Sequence, residues 1–130
     1  MTSPTFSPTF TPGRNIAMKV PAHEYDRTVT FYRDVLGFKE LTDPADSSTD
    51  TTRFEFGNKV LWIDRVPGMS QAELWLEIET DDVEAAAAHL TQYGGARCDD
   101  IDPLPSSLNG FWLSSPCNII HLIAQRDDER

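Results

Sequence analysis

An α+β domain built from two βαβββ modules is the fold class this sequence predicts, and three observations predict it. The chain has 130 residues, 39% apolar and 25% charged, which suits one soluble globular domain. Its two halves run through the same order of strand-like and helix-like patterns. Landmark residues also recur at a nearly constant spacing: Gly37 with Gly94, Phe54 with Phe111, Phe56 with Leu113 and Asp64 with His121 at an offset of 57, and Val20 with Ile78 and Asn15 with Glu73 at 58. Repeats of this length mark duplicated units, each too small to bury a core alone.

Residues 1–13 contain SPTF twice and three prolines, which forbid a helix and weaken a strand. They read as a flexible N-terminal arm, or as an arm that packs on a partner subunit through Phe6 and Phe10. The domain then spans 14–125, with modules at about 14–65 and 72–125 and a charged tail at 126–130. NIAMKV (15–20) alternates, placing Ile16, Met18 and Val20 on one face, as a half-buried strand does. Tyr25, Val29, Tyr32 and Leu36 follow at helical spacing, with Asp26 near the N-cap and Gly37 as the stop. FKELTD (38–43) reads as a strand, and 43–50 as a turn-rich loop. TRFEFG (52–57) and KVLWIDR (59–65) form a hairpin around Gly57-Asn58, the reverse of the common Asn-Gly order.

The second half repeats the order. ELWLEIET (73–80) alternates strictly. A helix follows with Val83, Ala86, Ala87 and Leu90 on its apolar stripe, and Asp81 and Glu84 at capping-box spacing. Gly94-Gly95 ends it. ARCDDI (96–101), GFWLSS (110–115) and NIIHLIA (118–124) complete the module.

The net charge of −10 opposes binding to nucleic acid or to anionic lipid and favours cationic ligands. Apolar runs are too short to span a membrane, and the N-terminus lacks a secretory pattern, so a cytoplasmic protein is expected. Cys98 and Cys117 lack the close spacing of a metal clip or redox pair and read as free thiols.

TFYRDVLGF (30–38) resembles the helix-to-strand signature of the vicinal oxygen chelate superfamily, which groups glyoxalases, bleomycin-resistance proteins and extradiol dioxygenases. DDVEAAAAHLTQYGG (81–95) is similar to the second-half helix of that group, and NIIHLIA to its final strand. The resemblance covers about 14–125. It implies a curved eight-stranded mixed sheet around a cavity, helices outside, in a homodimer. CNIIHLIA and ELWLEIE (73–79) are closest in pattern to the bleomycin-binding proteins, which sequester a cationic drug between aromatics without a catalytic metal. The turn before the last strand departs from that group, as Ser115-Pro116-Cys117-Asn118.

Alternation sorts the faces. The cavity side receives Asn15, Ala17 and Lys19, then Arg53 and Glu55, then Trp62 and Asp64. From the second half it receives Glu73, Trp75, Glu77 and Glu79, then Trp112 and Ser114, then Ile119, His121 and Ile123. Trp62, Trp75 and Trp112 with Glu77 and Arg53 are the candidate ligand-binding residues. Aromatic walls with surplus carboxylate suit a planar or cationic guest. The resemblance also implies metal-ligand places on the first and last strand of each half, which fall on Asp64, Glu73 and His121 with Asn15 as a weak fourth. A register slip would substitute Trp62 and Trp75 there and leave no site.

The leading expectation is a small-molecule-binding protein that sequesters a planar or cationic compound in an aromatic, acidic cavity, without a cofactor. The alternatives are a lyase, isomerase or dioxygenase dependent on Fe, Mn, Ni or Zn, and a dimer whose tryptophans lie between subunits.

Overall fold

The computed structural model describes residues 7–42 and 49–126. The expected loop at 43–50 falls mostly outside the described residues, as do Phe6 and most of the charged tail. The chain divides into two compact units, Arg14–Trp75 and Leu76–Arg130, the latter joined by the N-terminal residues up to Gly13.

The first unit opens on β1 (Phe10–Pro21), whose residues from Arg14 onward belong to it. A helical segment follows in three parts: a 3₁₀ turn at Ala22–Glu24, α1 at Tyr25–Thr30, and a wider π-type turn at Phe31–Val35. Asp26 lies inside α1, and the N-cap, Glu24, makes no side-chain capping bond. Gly37 adopts φ +74°, the left-handed conformation that ends a helix. Then come β2 (Glu40–Leu41), β3 (Thr51–Phe56) and β4 (Lys59–Val66), in the sheet order β2-β3-β4-β1. β1 runs parallel to β4, and the other pairs are antiparallel. The core is Val20, Tyr25, Val29, Phe54, Leu61 and Ile63, with Ile16 and Met18 packed on it. That is the aliphatic face alternation predicts. Fully burying a side chain the size of Phe54 or Ile63 contributes about 1.5–3 kcal/mol.

The second unit repeats the order with β5 (Glu73–Thr80, entering this unit at Leu76), α2 (Val83–Gln92), β6 (Ala96–Arg97), β7 (Gly110–Ser114) and β8 (Ile120–Gln125), ordered β5-β8-β7-β6. β5 and β8 are parallel, and the hairpin pairs are antiparallel. The predicted βαβββ order is thus present in each unit, with mixed parallel and antiparallel pairing. Asp82, not Asp81, caps α2, its carboxylate accepting from the Ala85 N–H at 3.0 Å. Asp81 instead accepts from the Thr9 N–H at 2.9 Å.

Of the arm expected over 1–13, residues 7–13 are described, and its last four form the start of β1. Phe10 packs against the second unit's own core of Ala86, Phe111, Leu113 and Ile123 and lies 6.2 Å from the His89 ring. Phe10 thus has an apolar seat within its own chain.

Candidate functional site

In the first unit, the sheet face away from the helix carries Ala17, Lys19, Thr51, Arg53, Trp62 and Asp64. Cross-strand register brings them together: Ala17 opposite Trp62, Lys19 opposite Asp64, Arg53 opposite Trp62 and Thr51 opposite Asp64. Residues paired across a ladder project to the same side. This face is the one alternation assigned.

Three bonds organise it. Lys19 Nζ donates to Asp64 Oδ2 at 2.7 Å, with both side chains less than a fifth exposed. The Thr51 hydroxyl donates to Asp64 Oδ1 at 2.9 Å. The Trp62 indole N–H donates to Asn15 Oδ1 at 2.7 Å, which fixes the plane of a half-buried ring. The Arg53 guanidinium stands 5.2 Å from the Trp62 ring centroid, and Lys19 Nζ stands 4.3 Å from that of Trp75. Trp75 is 9% exposed, and its indole N–H donates to Glu73 Oε1 at 3.1 Å. Both indoles therefore already carry a cation of the chain itself, which removes the main argument for a cationic guest.

The second unit holds the remaining candidates. Trp112 is 8% exposed, and its indole N–H donates to the Asp102 carbonyl at 2.8 Å. Glu77 is half-buried and paired in register with Leu122, and Gly13 passes so close that a Cβ there would overlap its side chain. Trp112 also pairs with Leu122, on the side opposite Phe111 and Leu113.

His121 requires a correction. It pairs with Leu113 and Leu76, and Ile123 pairs with Phe111 and Ile78. Ile123 is a member of the core under α2. The last strand therefore presents His121 and Ile123 to the helix-covered face, the opposite of the predicted assignment. The cause is the hairpin: Phe54 pairs with Leu61, seven residues on, whereas Phe111 pairs with Ile123, twelve on. The difference of five is odd, and an odd shift in a strand turns every side chain over.

The three proposed metal ligands each have a protein partner. Asp64 holds Lys19 and Thr51, Glu73 holds Trp75, and His121 Nδ1 lies 2.9 Å from the Ile119 carbonyl oxygen. An ammonium against Asp64 opposes a divalent cation at that carboxylate. Among the described residues no three His, Cys, Asp or Glu side chains are grouped to hold a metal ion. As arranged, this donor set does not fit a divalent metal.

Lys19 and Thr51 escaped the sequence-derived site because only strand register joins them to Asp64. The alternation that put Lys19 on this side was the available signal.

A glyoxalase-like domain family matches residues 15–115. The chain belongs to this family. The Mn(II)-bound glyoxalase from Novosphingobium aromaticivorans shares the fold of the glyoxalase-like domain with a TM-score of 0.63 and 18% identity, over 91% of this chain and 40% of that one. A glyoxalase/bleomycin resistance protein/dioxygenase superfamily member from Vibrio splendidus 12B01 aligns at a TM-score of 0.58 and 12% identity, over 85% and 97% of the two chains. Homoprotocatechuate 2,3-dioxygenase from Brevibacterium fuscum aligns at 0.59 and 18%, over 92% of this chain and 38% of that one. The glyoxalase-like domain thus spans less than half the length of two of these three. No curated protein matches it in sequence. Among the described residues no helix is long and apolar enough to cross a membrane.

Proposed function

We propose that this glyoxalase-like chain binds a planar small molecule bearing acceptor oxygens, on the first unit's face around Trp62 and Arg53. The observation that supports this is the Arg53 guanidinium held over an indole whose own N–H is fixed by Asn15. A guanidinium stacked on a ring keeps its N–H edges for a coplanar carboxylate or carbonyl, and its fork suits two acceptor oxygens. Among the described residues Arg53 has no ion-pair partner, whereas Lys19 is committed to Asp64. The ligand is therefore recognised by shape and acceptors more than by positive charge.

The test is titration of the protein with planar aromatic carboxylates and catechols, followed by tryptophan fluorescence, with metal content measured on protein purified without chelators. Trp62→Leu should weaken binding by about 1–3 kcal/mol, the range of lost aromatic stacking. Arg53→Lys, which keeps the charge and loses the planar fork, should also weaken it. Unchanged affinity in both variants would remove this face from consideration. About one tightly held divalent ion per chain would favour a metal-dependent lyase, isomerase or dioxygenase instead.

A further inference from the structure

The second unit contains a cavity of about 200 Å³ on its helix-covered side, remote in character from the polar face of Trp62 and Arg53. Phe10, Ile78, Leu90, Leu113 and Ile123 wall it, and His121 lines it together with the largely exposed Tyr93. An apolar cavity of about 150 Å³ is large enough to hold a benzene molecule. This one therefore has room for a single substituted ring.

His121 gives the cavity its chemistry. Its Nδ1 is 2.9 Å from the Ile119 carbonyl oxygen, which can only accept, so the neutral ring carries its proton on Nδ1. Nε2 is then a bare acceptor. Among the described residues it has no hydrogen-bond partner, and since no wholly buried side-chain nitrogen or oxygen is unpartnered, Nε2 is open to a solute. The Ser115 hydroxyl, also at the cavity, is engaged by the Ile119 N–H at 3.2 Å. An aromatic ring with one hydroxyl donor complements this arrangement. The ring meets the apolar walls, and the hydroxyl donates to Nε2.

We propose that this cavity is a second binding site, selective for small phenols. It goes beyond the planar-ligand reading and does not depend on it, since the two sites share no residue.

The experiment is methyl-detected NMR of the full chain, labelled at Ile and Leu, titrated with phenol and in parallel with anisole, which has the ring but no donor. Phenol should give saturable shifts at the methyls of Ile78, Leu113 and Ile123. Anisole should bind roughly fivefold to tenfold more weakly, the worth of one net hydrogen bond. His121→Phe should bring the two probes level. Absence of saturable shifts at these methyls, or equal affinity of phenol and anisole for the unmutated protein, would overturn the proposal. The second criterion needs no variant to fold. Shifts confined to methyls of the first unit would assign the probe elsewhere and equally refute it.

Discussion

Lys19, paired in register with Asp64 on parallel strands, places its ammonium 2.7 Å from Asp64 Oδ2 and 4.3 Å from the centre of the Trp75 ring. One side chain thus neutralises a half-buried carboxylate and covers a buried indole. Replacing Lys19 by Met leaves Asp64 with the Thr51 hydroxyl alone. The loss should be about 1–3 kcal/mol of stability, the cost of a desolvated polar group whose partner is gone. Chemical denaturation of Lys19→Met, Asp64→Asn and the double variant measures it. The double variant should cost less than the two singles added together, because the pair fails as a unit. Strict additivity would mean that the contact contributes nothing.

The same geometry separates Trp75 from Trp62. Trp75 is 9% exposed, whereas Trp62 is half-buried beside Arg53. Trp75→Ala empties a packed site and should cost about 3–5 kcal/mol. Trp62→Leu keeps an apolar body on a partly open face and should cost clearly less stability. Thermal or denaturant unfolding ranks the two. A Trp75→Ala protein as stable as Trp62→Leu would show that the Trp75 ring is not part of the packed core.

Periodicity was enough to read the elements and most of the faces. Ile16, Met18 and Val20 alternate in sequence and pack together, and Val83, Ala86, Ala87 and Leu90 form the stripe that covers the second core. What alternation cannot carry is parity across a loop. Ser114 ends β7 and Ile120 begins β8, and the longer hairpin between them turned the last strand over. The constant offset that joined Asp64 to His121 therefore linked residues on unlike faces. The place that matches Trp62 by register falls on Ala124, which is buried. The seat of Phe10 escaped the sequence for another reason. Prolines argue against a strand locally, but an apolar seat formed by residues roughly 70 to 115 positions further along the chain outweighs that preference.

The first hairpin makes its own prediction. Gly57 has φ +65°, and Asn58 is not among the residues of positive φ. Positive φ at the first central position alone matches a type II′ turn, and explains why Gly precedes Asn here. Nothing lies within 4 Å of a Cβ built on Gly57, so Gly57→Ala meets backbone strain and no clash. The penalty should be about 1–2 kcal/mol, that of an L-residue in the left-handed region. Gly57→Asn should cost less, since Asn tolerates that region better. The two midpoints in urea test the order. Equal stability of all three proteins would mean that the turn relaxes to another type.

Thr9 and Asp81 give the N-terminal strand a dependence on pH. The Thr9 N–H donates to Asp81 Oδ1 at 2.9 Å, and this bond chiefly holds the carboxyl below the usual aspartate range, aided by Arg126. Arg126 also reaches the hydroxyls of Thr9 and Thr11 at 3.5 Å. A carboxyl whose folded value is depressed contributes stability fully above its ordinary value. That contribution is lost as pH falls through the lower, folded value. Phe10, a wall of the helix-side cavity, follows Thr9 directly. Acidification below the ordinary carboxylate range should therefore release the strand end before the core opens. Amide exchange at Thr9 and Thr11, corrected for intrinsic rates, should lose protection there, while Phe54 and Ile123 stay protected. Asp81→Asn should flatten the pH dependence, because a neutral amide has no proton to take up in this range. Thr9 protection that stayed constant through the acid range, or that fell equally in Asp81→Asn, would show that Asp81 does not fasten the arm.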